Sequence, residues 1–198
     1  MMPIFFDQPT YRALFGVACA IWYVPELIGT FYQRAARRHG TRHDRGSYAV
    51  LIGVLWSGLM LGFGIAVLVP WAAIPVLRLP LFWLGIADIL AGVAVRWYAI
   101  RVLGRFFTRD VAIQAGQTVV QAGPYRFVRH PAYSGTLLTL LGLGLTLGNW
   151  LALLVVLVSG VVGHGYRVHV EEQALIAALG EPYRAYMRST RRFIPGVW

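Results

Sequence analysis

Residues 131–162 read PAYSGTLLTLLGLGLTLGNWLALLVVLVSGVV, a stretch without a single charged side chain. As one helix it would rise roughly 48 Å, against the ~30 Å hydrocarbon core of a bilayer. It is too long for one ordinary span. Gly148-Asn149 near its middle is a turn signal. The stretch therefore predicts a helical hairpin, residues 131–147 and then residue 150 to about 168. The second arm is expected to run on into an amphipathic helix over 171–179, ended by Gly180.

Working toward the N-terminus, residues 81–103 form another apolar span, preceded by a stiff connection carrying Pro70, Pro75 and Pro80. Residues 47–69 form an uninterrupted span, and residues 11–31 one broken by Pro25 and Glu26. Residues 104–129 are the longest non-apolar stretch. With no basic segment before the first apolar run, the N-terminus is expected to be a retained span rather than a signal peptide. The expected fold is all-α: one polytopic membrane domain over 1–198 with about five transmembrane helices and a cytoplasmic C-terminal amphipathic helix.

Composition supports this class. The chain is 58% hydrophobic and 13% charged, with mean hydropathy +0.60, where soluble domains are about half apolar and a quarter charged. Its net charge of +10 comes from arginine alone, since lysine is absent. That excludes Schiff-base and P-loop chemistry, both of which need a lysine. The arginines lie between apolar runs, which favours anionic lipid over nucleic acid as their partner. Arg34, Arg37, Arg38, Arg42 and Arg45 fall in one connection. Arg101, Arg105, Arg109, Arg126 and Arg129 fall in another, and Arg167, Arg184, Arg188, Arg191 and Arg192 in the C-terminal segment. The alternate connections hold Arg12 and Arg78. Five spans put the three basic segments on one side, the cytoplasm by the positive-inside rule, with the N-terminus outside. An arginine-, alanine- and glycine-rich makeup fits a bacterial inner-membrane protein. Nothing in the sequence marks an obligate protein partner.

Candidate chemistry sits at two places. In Gly123-Pro-Tyr-Arg-Phe-Val-Arg-His-Pro-Ala-Tyr-Ser-Gly135, Pro131 opens a membrane helix whose first N–H groups suit a carboxylate. His130, Tyr133 and Tyr125 can add hydrogen bonds. The same residues equally describe an interfacial belt of tyrosines and snorkelling arginines. In Arg167-Val-His-Val-Glu171-Glu172, Arg167 and Glu171 share one helical face. They could be a functional pair or a helix-end ion pair, and the residues alone leave both open. Cys19, the sole cysteine, excludes a multi-cysteine metal site and reads as a buried thiol. His39 and His43, four apart, have no third ligand nearby. His164 and His169 read as polar groups near the membrane exit, so no metal site is expected. Asp88 and Arg96 read as an interior pair or as partners of another span. Gly58-x-x-x-Gly62 and Gly144-x-x-x-Gly148 are weak helix-packing motifs.

Together these parts resemble the isoprenylcysteine carboxyl methyltransferase family, over roughly residues 108–195. The matching parts run in order. Val119-Val120 precedes Gly123-x-Tyr125, followed by Arg129-His130-Pro131-x-Tyr133-x-Gly135 and the Asn149-Trp150 turn. Arg167-x-x-x-Glu171-Glu172 comes next, then Gly180-Glu-x-Tyr183-x-x-Tyr186 and Thr190-x-Arg192-x-x-Pro195. The resemblance implies S-adenosyl-L-methionine as cofactor, bound by residues 104–198 at the cytoplasmic face, while residues 1–103 shape substrate entry. It carries cofactor contacts onto Gln117, Thr118, Val119, Val120, Tyr125, His130, Pro131, Ala132, Tyr133 and Glu171, with Asp110 nearby. It carries a substrate-carboxylate-positioning role onto Arg167. Gln117 stands where eukaryotic members often have histidine. The implied partners are membrane lipids and a lipophilic or lipidated acceptor, most simply an isoprenylcysteine-type carboxylate. Phospholipid amines, small thiols, an NADPH-dependent reductase and a non-catalytic scaffold are the alternatives. A carboxylate is already ionised at neutral pH, so its methylation needs alignment and exclusion of water rather than a general base.

Overall fold

A computed structural model describes residues 2–36, 40–42, 44 and 46–194, with side chains left aside at 30–36 and 40–42. His39, His43, Arg37, Arg38, Arg45 and Pro195 lie outside the described residues. The elements run α1 (Ile4–Asp7), α2 (Pro9–Ala36), β1 (Gly40–Arg42), α3 (Ser47–Leu68), α4 (Arg78–Leu103), β2 (Ala112–Gln114), α5 (Pro131–Thr146), α6 (Trp150–Leu179) and α7 (Glu181–Ser189). The fold is all-α. Among the described residues, four segments are long and apolar enough to cross a membrane: Pro9–Gly29, Ser47–Leu68, Pro75–Phe106 and Trp150–Leu179. The first hairpin arm, α5, has 16 residues, about 24 Å of helix, shorter than the ~30 Å apolar core.

The hairpin turn falls where the sequence places it. Gly148 adopts φ 60°, a left-handed conformation that glycine enters without steric cost. Asn149 then caps α6, its side-chain oxygen accepting from the N–H of Leu151 at 3.1 Å and of Ala152 at 3.0 Å. Its amide donates to the Val69 carbonyl at 3.0 Å, and the Ile74 N–H donates to the Gly148 carbonyl at 2.8 Å. The turn is thereby stitched to the proline-rich connection, where Pro70 and Pro75 each open a 3-10 turn. The Arg78–Asp7 ion pair gathers α1 and α4 at the same end.

Backbone-level contact joins α4 to α5. A Cβ on Gly85 would stand 2.5 Å from the Gly142 carbonyl, and one on Gly92 2.5 Å from the Gly135 carbonyl. The clash is reciprocal: a Cβ on Gly135 or Gly142 would meet Gly92 O at 2.6 Å or Gly85 O at 2.4 Å. Two glycines seven apart on each helix thus form a flat seam. The weak motif at Gly58 and Gly62 packs α3 on α6, against Ser159 and Val156. A core of Phe82, Ile89, Leu140, Leu147 and Val156 lies between these helices.

Two details differ from the sequence expectation. Residues 171–179 are the last turns of α6, which runs 30 residues without a break, about 45 Å, and so extends past an apolar core of ~30 Å. Gly180 ends it, and the separate amphipathic helix is α7, burying Tyr183 and Tyr186 while Arg184 and Arg188 face outward. A two-stranded antiparallel ribbon, Gly40↔Gln114 to Arg42↔Ala112, ties the first basic connection to the stretch after α4. Three-residue strands are too short to carry a period-two pattern, so no strand was legible there.

Candidate functional site

The site is built at the arginine-rich end of the helices, where α5 begins and α6 projects. Arg129 and His130, just before α5, pair through their N–H groups with the carbonyls of Arg191 at 2.7 Å and Arg192 at 3.1 Å. The C-terminal segment is thereby laid beside the start of α5. Glu172 of α6 locks this arrangement. Its carboxylate accepts from Arg129 Nε at 2.8 Å and Arg192 Nε at 3.1 Å, and lies 3.3 Å from His130 Nε2. Both Arg129 and Glu172 are buried, with side chains 9% and 4% exposed. A buried carboxylate is tolerable here because three donors surround it. Ser134 Oγ donates to the Phe193 carbonyl at 2.6 Å, and Tyr186 donates to the Tyr125 carbonyl at 2.6 Å. Burial pushes the Tyr186 hydroxyl up to about 12, so it remains a donor throughout the neutral range. Burial likewise raises Tyr125 above its ordinary value.

This scaffold frames an open cleft. Its wall includes Gln117, Thr118, Val119, Val120, Tyr125, His130, Ala132, Tyr133 and Glu171, every one a sequence-predicted cofactor residue. Asp110 lines it too, with Phe107, Thr108, Tyr183 and Tyr186. Pro131 is not among its lining residues; it is buried at the start of α5. Val120 packs beside Tyr125 and Ala132, and Gln117 Oε1 accepts from the Gln114 N–H at 2.9 Å, closing the loop that carries 117–120.

A second, larger cavity lies between α2, α3, α4, α5 and α6. Trp22, Leu27, Leu51, Leu55, Trp56 and Leu59 give it apolar walls. Its inner end is charged, carrying Arg96, Arg109, Arg167 and Glu26. Arg96 Nε and Arg109 meet the Glu26 carboxylate at 2.5 and 2.9 Å. Glu26, which the sequence leaves facing either headgroups or the interior, is thus paired inside. Arg96 is the partner of another span, as expected.

Tyr133 stands in the wall between the two spaces and lines both, together with Phe107 and Thr108. Its hydroxyl donates to Glu171 at 2.8 Å and accepts from Arg167 Nε at 3.3 Å. The His130 ring stacks on it at 5.7 Å from the cleft side, and the His164 ring meets it edge-on at 5.2 Å from the apolar side. His164, expected near the membrane exit, is instead 2% exposed and lines the apolar cavity.

Arg167, 1% exposed, also lines that cavity. Its guanidinium donates to Asp44 and to Ser47 Oγ (2.7 Å) through one terminal nitrogen, to the Arg109 carbonyl through the other, and to Tyr133 through Nε. Four of its five donors are therefore committed. Asp44, which the sequence did not single out, also accepts from Ser47 Oγ at 2.9 Å and from the Tyr48 N–H at 3.3 Å. Desolvation raises its pKa, but the Ser47 hydroxyl and the Arg167 charge outweigh this and hold the carboxyl below its usual range. No signal at position 44 pointed to α6, 123 residues away.

Residues 83–177, from α4 through the cleft loop to α6, match the model of the isoprenylcysteine carboxyl methyltransferase (ICMT) family. The cobalt-zinc-cadmium resistance protein CzcN of Cupriavidus metallidurans is 29% identical over 164 residues, 82% of this chain and 68% of that protein. The protein-S-isoprenylcysteine O-methyltransferase of Dictyostelium discoideum is 28% identical over 140 residues, 65% of this chain and 56% of its own length. That of Schizosaccharomyces pombe is 28% identical over 107 residues, 47% of this chain and 45% of its own. The chain thus spans about half the length of several curated relatives. The matched region holds Tyr133 and much of the cleft, while α2 and α3 outside it supply most of the apolar wall; over that region this chain is similar to the isoprenylcysteine carboxyl methyltransferase family.

Proposed function

We propose that this chain transfers the methyl group of S-adenosyl-L-methionine to a lipophilic acceptor held at the membrane. The observation that carries this reading is the pair of spaces meeting at Tyr133: a cleft whose wall carries Asp110, His130 and Glu171 on one side and a larger, more apolar cavity on the other. One-carbon transfer between a water-soluble donor and a lipid-like acceptor requires two such spaces with a thin shared wall.

The residues of the cleft suit such a donor. The start of α5 offers Ala132 and its neighbours as a positive helix terminus for the methionyl carboxylate. Glu171 and Asp110 are the acids on the wall, suited to an ammonium or to ribose hydroxyls. Gln117, Thr118, Val119 and Val120 form one flank, with Tyr125 and His130 as flat surfaces. When bound, the cofactor supplies an electrophilic methyl on sulfur. The chain then has to align the acceptor, exclude water and place positive charge near the acceptor's nucleophile.

Arg167 is the positioning residue on the acceptor side. A carboxylate acceptor, isoprenylcysteine-like, would receive its charge and the one N–H that is uncommitted among the described residues, a single-point contact. Arg167→Ala is expected to abolish turnover while affinity for S-adenosylhomocysteine stays largely intact; unchanged turnover removes Arg167 from the acceptor site. The membrane is the site of action, with the arginine-rich end in the cytoplasm of a bacterial inner membrane and the N-terminus opposite.

The test is transfer of a labelled methyl from S-adenosylmethionine to a panel of prenylcysteine analogues, phosphatidylethanolamine, thiols and fatty acids. Labelling of at least one lipophilic member is expected. No labelling of any member, together with NADPH binding, contradicts the reading.

A further inference from the structure

One group in the apolar cavity has no task in carboxylate methylation. His164 sits on α6 between Gly160 and Arg167, and both His164 and Arg167 meet Tyr133 and line the cavity. Its Nδ1 lies 2.8 Å from the Gly160 carbonyl oxygen. A carbonyl can only accept, so Nδ1 carries the hydrogen. In the neutral ring Nε2 is then a bare acceptor. Among the described residues Nε2 has no protein partner, and it is not a fully enclosed atom, so it borders the cavity space. Because His164 lines the cavity, the group placed to satisfy Nε2 is the cavity's occupant, and that group must be a hydrogen-bond donor.

A carboxylate at neutral pH has no proton to give. An ammonium has one, but it would add a net positive charge at a cavity end where Arg96, Arg109 and Arg167 already outnumber Glu26 and Asp44. A neutral thiol enters without that repulsion. With an ordinary pKa of about 8.5 it arrives protonated, and it is a poor nucleophile until deprotonated. The nearby arginines would stabilise the resulting thiolate.

We propose that His164 is the proton acceptor for a lipophilic thiol held in the cavity of Trp22, Leu55 and Trp56, giving this chain an S-methyltransferase activity. This rests on the methyl-transfer reading above and names its acceptor class. In the step, the thiol S–H bond breaks and its proton passes to His164 Nε2, leaving an imidazolium. The sulfur lone pair forms the new S–CH₃ bond as the sulfonium C–S bond of the donor breaks, and its electron pair leaves on the thioether S-adenosylhomocysteine. Charge and atoms balance, and the proton later leaves to water.

The test uses the full chain in detergent with decanethiol and decanoate as probes. The wild type is expected to methylate decanethiol. His164→Phe keeps a ring against Tyr133 but removes both nitrogens. It is expected to lower decanethiol turnover by about 100-fold or more, the usual scale for removing a general base. Affinities for S-adenosylhomocysteine and for decanoate, read by calorimetry, should stay within about three-fold. Undiminished thiol turnover in the variant overturns the proposal, as does an equal loss of decanoate and S-adenosylhomocysteine binding. A second arm needs no variant. Decanol should inhibit the wild type at least about five-fold more tightly than decyl methyl ether, because a site built to accept a hydrogen bond discriminates against an analogue without one. Equal inhibition overturns the proposal. Normal S-adenosylhomocysteine binding without thiol methylation overturns this inference alone, whereas no S-adenosylhomocysteine binding overturns the methyl-transfer reading beneath it.

Discussion

The seam between α4 and α5 and the groove beside α2 are built on opposite plans. Along the seam, glycines at 85, 92, 135 and 142 let two backbones approach so closely that a methyl group has no room. Along α2, Leu14, Val17, Ile21, Val24, Leu27 and Ile28 are all exposed, and an added Cβ on Gly16 would meet nothing within 4 Å. The seam is closely packed, and α5 carries from it straight into Tyr133 and the cleft. The loosely partnered helix lines the apolar cavity through Trp22 and Leu27. A fixed floor for the polar ligand and a yielding side toward lipid is the arrangement that a small donor and a long-tailed acceptor require.

The comparison can be broken most severely at the ionic lock that holds the closely packed side. Glu172→Ala leaves the buried Arg129 guanidinium without its carboxylate, a loss of the kind that costs about 3–5 kcal/mol. The thermal midpoint should fall sharply, and proteolysis should begin in residues 187–194, which Arg129 and His130 hold in place. A variant as stable as the wild type would mean that the lock is not what fixes the tail. Next in size, Gly135→Ala places a methyl 2.6 Å from the Gly92 carbonyl and 2.7 Å from the Arg96 nitrogen, and overpacking of this sort costs about 1–3 kcal/mol. Gly16→Ala on α2 should do the reverse and stabilise by up to about 1 kcal/mol, since alanine is the better helix former. Equal effects at the two glycines would erase the distinction between seam and groove.

A smaller effect should appear with pH at the joint between the regions. Asp44 has its folded pKa depressed by Ser47 and Arg167 in spite of desolvation. Its contribution to stability is therefore full above the ordinary carboxylate range, about 4, and is lost as pH falls through the lower folded value. Asp44→Asn should be less stable than the wild type at pH 7, and the gap should close progressively below about pH 4. A gap independent of pH would show that the carboxylate's charge is not what Arg167 uses. The smallest effect is expected on the groove itself. Leu27→Ala, at a residue 40% exposed, keeps an apolar surface toward lipid and should change stability little. It should raise KM for a long-chain acceptor with little change in kcat. A matching loss for a short-chain acceptor would argue against Leu27 touching the tail.

How legible these regions were follows from the range of their interactions. The hairpin was readable because run length and a Gly-Asn turn are both local, and the structure puts the positive φ and the cap at those two residues. The cleft residues were readable because their order and spacing carry a family pattern within one contiguous stretch. The α4–α5 seam was not, since a glycine every seven residues has meaning only when the facing helix repeats it, and G-x-x-x-G drew the eye elsewhere. Asp44 lies in a basic loop and acts only through a partner on α6. His164 looked like a polar group leaving the membrane because α6 has little helical asymmetry to say which side is inward. Glu172 adjoins Glu171 in the sequence, but adjacent positions on a helix face different ways: Glu171 reaches Tyr133 at the cleft, and Glu172 the lock behind it.

The central claim is that the cleft beside Tyr133 is the methyl-donor site. Calorimetric titration of S-adenosylhomocysteine into the detergent-solubilised chain tests it most directly. Saturable binding that Glu171→Ala weakens, with no comparable heat from NADPH, is the predicted result; absence of S-adenosylhomocysteine binding to a folded chain that does bind NADPH would contradict it.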